Sequence, residues 1–197
     1  YSYSADHLRL NVQANKSYFF LEDGIVQMGT GIQGTTDATI ETTIENRMLN
    51  ADGSNKVLIN GEEYDGTAQT LHLKAGSWIH MEGNCEGADM AWYFPKAADV
   101  EIKKDYRHGN YNQINSGHKS EEYYQWYLTM GINHGTGTVS DGEYLYVTLP
   151  GMSVDEIKAY AANNTLEIVE SGEDAHVIKN NNGTLLAVNY WGSAPYK

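Results

Sequence analysis

Side-chain alternation over Gly29–Arg47, "GTGIQGTTDATIETTIENR", constrains the fold more than any other stretch. Ile40, Thr42 and Ile44 share one face of an extended chain, and Glu41, Thr43, Glu45 and Arg47 share the other. A period of two built on β-branched residues is a strand with one buried and one wet face. Such a strand is stable only beside others. The glycines of "GTGIQG" lie between extended segments, so they read as a turn or bulge, not as a helix-opening nucleotide loop.

The rest of the chain supplies those partners. Asp23-Gly24 sits between two apolar runs in "SYFFLEDGIVQMGTGI", which predicts a type I′ hairpin. Asp52-Gly53, Asn60-Gly61 and Asp65-Gly66 punctuate the next segment. "KAGSWIHMEG", "DMAWYFPKAADVEIKKDY", "EEYYQWYLTMGINHG" and "DGEYLYVTLPG" read as further strands, with Pro95 at an edge or bend. "AHVIKNNNGTLLAVNYW" reads as a hairpin over an Asn/Gly turn. In "SVDEIKAYAA", Ser153 lies three residues before Glu156 and apolar residues follow at helical spacing, a capping box that predicts one short helix. The 20 glycines, 15 tyrosines and 3 prolines suit many turns and sheets. The expected fold is all-β, a large antiparallel β-sandwich with one short helix.

A formal net charge of -13 disfavours nucleic acid and anionic membranes, which reward clustered Lys and Arg. No apolar run approaches the roughly 20 residues of a membrane-spanning helix. The start, "YSYSADHLRL", lacks the basic and apolar regions of a signal peptide and reads like the middle of a longer sequence. Cys85 is the single cysteine, which excludes an internal disulfide and a thiolate metal cage. The seven histidines, His7, His72, His80, His108, His118, His134 and His176, contain no His-x-x-x-His pair. His72 and His80 fall on expected strands as structural, hydrogen-bonded residues. Asn50, Asp52 and Ser54 begin like a calcium loop, but Gly61 stands where the bidentate glutamate is required. No cofactor is expected; a loosely bound calcium on loops carrying Asp37, Asp52 or Asp65 is compatible with the sequence. No nucleophile elbow is present.

The densest basic cluster is "KKDYRHGNYNQIN". Lys103, Lys104, Arg107 and His108 with Tyr106 and Tyr111 offer cations for a carboxylate or sulfate and rings for a sugar face. Lys103, Lys104, Arg107, His108 and Tyr111 are therefore the candidate substrate-binding residues. The competing reading is a solvated hairpin whose charges face water.

Several segments together resemble polysaccharide lyase family 8, which includes hyaluronate, chondroitin AC and xanthan lyases. "KSYFFLEDGIVQMGTGI" followed by "ETTIENR", then "AWYFP", "GNYNQIN", "INHG" and "YLYVTLPGMSVDEIKAYA", resemble that family's central-domain motifs in order. Tyr111 takes a tryptophan's place in its Gly-x-Trp-x-x-Ile-Asn loop. The resemblance implies a supersandwich of the galactose-mutarotase-like type over residues 1–165, with 166–197 as its last strands or the start of a C-terminal β-domain. It also implies a secreted enzyme cleaving uronate-containing anionic polysaccharide by β-elimination, a general acid/base reaction that needs no cofactor. The family's catalytic Asn, His, Tyr and Arg lie in an N-terminal α/α-toroid domain whose helical repeats are absent from this sequence, so no catalytic residue is carried over. Under this reading "ENR" is scaffold and Arg47 a paired surface charge. The alternatives are a stand-alone carbohydrate-binding module, which requires a solvent-facing platform from among Trp78, Trp92, Trp126 and Trp191, and a structural or adhesion domain without a sugar ligand.

Overall fold

Extended strands, the longest of 24 and 28 residues, account for most of the computed structural model, which describes Tyr3–Ala5 and residues 10–193. His7 and the last four residues of the expected 166–197 unit lie outside the described residues. In chain order the elements are β1 (Tyr3–Ala5), β2 (Leu10–Phe20), β3 (Ile25–Met48), β4 (Val57–Ile59), β5 (Glu62–Glu63), β6 (Gln69–Leu73), β7 (Ser77–Met81), β8 (Met90–Phe94) and β9 (Ala98–Gly109). A 3-10 turn (Tyr111–Gln113) leads to β10 (Tyr123–Pro150), α1 (Val154–Asn163), β11 (Leu166–Ser171), β12 (Ala175–Asn180) and β13 (Leu186–Tyr190). The first ten strands form one antiparallel sheet in the order β1-β2-β3-β10-β8-β7-β4-β5, with β9 on β10 and β6 on β9. Strands β11-β12-β13 form a second, smaller sheet.

The sandwich is largely this one sheet folded over itself. The first third of β10 pairs with β9, from Tyr123↔Gly109 to Gly131↔Glu101; its last residues pair with β8, from Val147↔Tyr93 to Pro150↔Met90. Between them β10 is bent by register shifts from Met130/Gly131 to Gly142/Tyr144. Gly135, Gly137 and Asp141 take positive φ there, and Gly31 does so on the facing strand. Each bulge adds an unpaired residue and turns the strand. The fold thus brings Leu128, Met130, Val100 and Ile102 of one half against Trp92, Phe94, Ile79, Met81, Tyr144 and Tyr146 of the other, a dry central core. The "GTGIQG" stretch is consequently inside one continuous strand: it is a bulged bend of β3, not a turn between strands.

The opposite face of β3, β10, β8 and β7 is buried as well. Val26, Met28, Val147, Leu149, Ala91 and Tyr93 pack against Ile157 of α1 and Ile178 of the small sheet. Burial on both faces explains why all five residues of β7, "SWIHM", are buried without alternation, the polar Ser77 and His80 included. The expected capping box is present: the Ser153 side chain accepts from Glu156 N, and Glu156 Oε2 accepts from Ser153 N at 2.8 Å. The small sheet is further fixed by a buried His176. Thr30 Oγ1 donates to Gly172 O at 3.0 Å and lies 2.9 Å from His176 Nε2, while Ser17 Oγ lies 2.7 Å from His176 Nδ1. Because Thr30 spends its proton on Gly172, it accepts from Nε2–H, and Nδ1 accepts from Ser17.

The hairpins differ in detail from expectation. Asn60 and Gly61 both have positive φ, as a type I′ turn requires, and join β4 to β5. Asp23-Gly24 does not: the β2–β3 loop spans residues 21–24, Leu21 N donates to Gly24 O at 2.8 Å, and neither residue has positive φ. Glycine is needed at 24 for a different reason, since a Cβ there would stand 2.4 Å from Thr148 O.

Candidate functional site

Strand alternation divides the basic cluster. Lys103, Asp105 and Arg107 leave β9 on one face, and Lys104, Tyr106 and His108 on the other. Lys104 follows Ile102 toward the central core. Its ammonium donates to Asn55 O at 2.5 Å and Gly53 O at 3.4 Å, and burial lowers its pKa. The structure thus places Lys104 as a plug for the 50–55 loop, apart from the other cations. Asp52 and Asp65 line the cavity beside it with Trp126, and each carboxylate accepts a nearby backbone N–H, from Ser54 and Thr67 respectively. Asp37 lies on β3, away from that cavity. Among the described residues no group of three or more His, Cys, Asp or Glu is placed to hold a metal ion.

On the outer face, Arg107 is held on several sides. Its Nε donates to both Asp105 oxygens at 3.0 and 2.9 Å, Nη1 donates to Asn46 Oδ1 at 2.8 Å, and Nη2 donates to Thr129 Oγ1. The guanidinium lies over the Tyr127 ring, 4.7 Å from its centroid. Lys103 shares the same carboxylate at 3.4 Å, so two cations meet one acid. Desolvation opposes Asp105's ionisation, but Arg107 and Lys103 outweigh it and hold its pKa below the usual value.

Asn46, Arg107 and Tyr127 border an open groove of about 420 Å³ between β3, β9, β10 and the 110–114 turn. Asn46, Arg107, Tyr111, Ile114, Tyr123 and Tyr127 line it. Tyr111 is 59% exposed and meets Tyr123 edge-on at 5.5 Å, giving two rings inclined at 65° that face solvent. Asn110 caps the turn by accepting from Gln113 N. His108 and Asn110 both contact Glu122, which fastens the base of the turn to the start of β10. Of the expected residues, Arg107, His108 and Tyr111 line the groove, Lys103 lies on the same face as Arg107 and pairs with Asp105 without lining it, and Lys104 points away. Tyr123, Tyr127 and Asn46 escape a sequence reading because the pairing of β9 with β10 brings them in. The spacing of Tyr123 and Tyr127 in "EEYYQWY" is the trace of it.

The other face of this hairpin carries a second row of rings. Tyr106 stacks on Tyr124 at 5.7 Å, Tyr124 on His108 at 5.5 Å, and Tyr106 tilts over Trp126 at 5.3 Å. Trp78 and Trp92 are buried, Trp126 is half-buried and Trp191 sits edge-on to His176. The solvent-facing aromatics here are thus tyrosines, not a tryptophan platform. Five tyrosine phenols stand above their ordinary pKa: burial raises Tyr64 and Tyr160 to about 12 and Tyr144 and Tyr146 further, while a hydrogen bond to Glu121 raises Tyr123. All five are moved away from the phenolate that proton abstraction by tyrosine requires. Arg47 pairs with Glu45 at 3.1 Å, the scaffold role expected of "ENR". His80 is buried against Asp89 and Met152 O, whereas His72 is exposed and paired with Asp99. Among the described residues no helix is long and apolar enough to cross a membrane.

A folded-over antiparallel sheet with an aromatic groove defines a supersandwich domain. The family model for "Polysaccharide lyase family 8, super-sandwich domain" matches residues 1–161, and the chain belongs to that family. It is 36% identical over 185 residues to hyaluronate lyase HylB of Enterococcus faecalis, covering 93% of this chain and 18% of the relative. It is 37% identical over 187 residues to a xanthan lyase of Bacillus sp., covering 92% of this chain and 20% of the relative. The solved Paenibacillus xanthan lyase superposes with a TM-score of 0.86 at 29% identity, over 100% of this chain and 19% of that one. The chain thus spans about a fifth of the length of these relatives.

Proposed function

We propose that this chain is the sandwich domain of a secreted lyase that cleaves uronate-containing anionic polysaccharide by β-elimination. In this reading it packs on a helical catalytic domain elsewhere in the polypeptide and forms one wall of the cleft. The observation that carries the reading is the outer groove: Tyr111, Tyr123 and Tyr127 around a fixed Arg107, with Lys103 at its side. Rings of this kind give a pyranose apolar contact and a hydroxyl partner together. Lys103 and Arg107 share the single carboxylate of Asp105, which leaves one positive charge in excess where the rest of the chain is acidic.

In β-elimination, neutralisation of the uronate carboxylate acidifies C5–H. A base removes that proton, the C4–O bond breaks, and an acid protonates the departing oxygen. The residues of this chain bind and orient the polysaccharide; the proton transfers belong to the catalytic domain. A stand-alone binding module is the weaker reading, since Trp78 and Trp92 are buried, Trp126 is half-buried, and the exposed Trp191 stands by itself, edge-on to His176, rather than in a platform of indoles.

The test is to incubate the chain separately with hyaluronan, chondroitin and xanthan and to follow the ultraviolet absorbance of unsaturated uronate. No rise is expected, while oligosaccharides of the productive polymer shift the amide resonances of residues 107–127 with affinity of about millimolar order. A rising absorbance would place the base within this chain. Binding at about micromolar affinity or tighter would instead identify a self-sufficient binding module.

A further inference from the structure

The inner face of the small sheet is divided in two. His176 and Ile178 stand two residues apart on β12, so both point the same way, and both are fully buried. Ile178, with Leu166, Ile168 and Ala187 beside it, packs on apolar residues of the large sheet. His176 instead meets two hydroxyls, Ser17 on β2 and Thr30 on β3, themselves 1% and 4% exposed. The turn before β12 is held to the large sheet by polar bonds as well. Asn15 Nδ2 donates to Glu173 O at 2.7 Å, and Thr30 Oγ1 donates to Gly172 O at 3.0 Å. Gly172 N donates to Ala175 O at 3.0 Å and closes the turn on itself. One end of the small sheet is thus joined by apolar packing, and the other by bonds that converge on one imidazole.

Those bonds suit a neutral ring. With Nε2–H given to Thr30, Nδ1 is the acceptor for the Ser17 proton. Protonation turns Nδ1 into a second donor that faces the Ser17 O–H, and it puts a charge where water is excluded. The surrounding groups do not offset that cost. Glu170 on β11 favours the imidazolium, but burial outweighs it and holds the pKa of His176 below its ordinary value. Glu173, on the turn, lies beside Gly31, and Asp174 accepts from Trp191 N through its backbone carbonyl. Lys16 leaves β2 on the face opposite to Ser17, with its ammonium over the Tyr144 ring. β13 and the residue after it present the uncharged Asn189 and Trp191. The ring regains water only if the turn moves away from β2 and β3.

We propose that His176 is a pH-operated latch: in mildly acidic medium it takes up a proton, and the 170–176 turn lifts from β2 and β3 while the sandwich stays folded. Ile178 keeps the other end of the small sheet attached, so the motion is a local opening. The inference does not depend on the function proposed above. Nitrogen relaxation dispersion of the chain's backbone amides, recorded from pH 7.5 to 5.5, reads the population of the open form. At residues 170–176 that population should rise about three- to tenfold over the range, tenfold being the most that one proton allows for an exposed group with a pKa near 6.5. The amides of Leu128 and Met130, in the central core, should stay flat. His176→Gln should remove the rise. Asn15→Ala, which leaves the ring alone, should raise the open population by a similar factor at every pH. The proposal is overturned if residues 170–176 show no pH-dependent exchange, if Leu128 and Met130 open in parallel, if the rise survives in His176→Gln, or if Asn15→Ala leaves the population unchanged.

Discussion

Gly29 offers a sharp test of how the two halves of the sheet fit. A Cβ built on it would stand 2.1 Å from Cε1 of Tyr144 and 2.7 Å from Cδ1 and Cζ, against an ordinary contact of 3.4–4 Å. Tyr144 is 4% exposed, with Tyr146 at 5.8 Å between ring centroids, so the ring has little room to retreat. Gly29→Ala must displace it by more than an ångström. Overpacking of that kind costs about 1–3 kcal/mol, with a ceiling near the roughly 3–5 kcal/mol for removing a large buried ring. Gly29 has no positive φ, so its backbone suits alanine. With the ring gone, the same substitution should stabilise by about 0.4–1 kcal/mol through the unfolded chain. Urea midpoints for wild type, Gly29→Ala, Tyr144→Ala and the double variant close the cycle. Gly29→Ala should destabilise by about 2–3 kcal/mol in the first background and stabilise in the second. A cost within about 0.5 kcal/mol of zero, or the same cost in both backgrounds, refutes the idea that Gly29 exists to seat the ring.

Lys104→Met should lose about 1–2 kcal/mol of stability with oligosaccharide binding unchanged, whereas Lys103→Met should weaken binding with stability unchanged; denaturation and titration of both variants separate the two roles. Burial holds the pKa of His176 below its ordinary 6.5, with Glu170 opposing. The unfolded chain therefore takes up a proton before the folded one does, and stability is retained above about pH 6.5 and falls as pH drops below it. His176→Gln should flatten that fall in urea midpoints between about pH 7.5 and 5.5; an unchanged slope would remove His176 from the account. Ser153→Ala breaks the capping box and should cost about 1 kcal/mol, while Ile157→Ala, beneath the same helix, should cost about 2–5 kcal/mol, both measured by thermal or urea unfolding.

Local signals carried most of the fold. Alternation in Gly29–Arg47 and in the "KKDYR" strand, the Asn60-Gly61 turn and the Ser153–Glu156 box each act within a few residues, and each appears in the structure. The Asp23-Gly24 turn looked the same by composition yet differs, because its glycine answers to the Thr148 carbonyl on a strand far along the chain. The candidate site was half legible for the same reason. Lys103, Arg107 and Tyr111 were found as neighbours in sequence, but Tyr123, Tyr127 and Asn46 join them through strand pairing.

By itself, then, the sequence determined which segments are strands, where the one helix starts, and that the cations of this acidic chain gather around residues 103–108, since these depend on short-range periodicity and on charge count. Tertiary structure decided what those cations do. The pleat sends Lys104 inward to the Gly53 and Asn55 carbonyls and Lys103 outward, one residue apart on opposite faces of a sheet. The fold of β10 through its bulges likewise decided that both faces of β7 and β8 are dry and that Lys74 and Lys96, distant in sequence, share one cavity. Register and bulge positions are set by pairing between residues far apart in the sequence, such as Gly131 with Thr43 and Gly142 with Ile32, which no local pattern records.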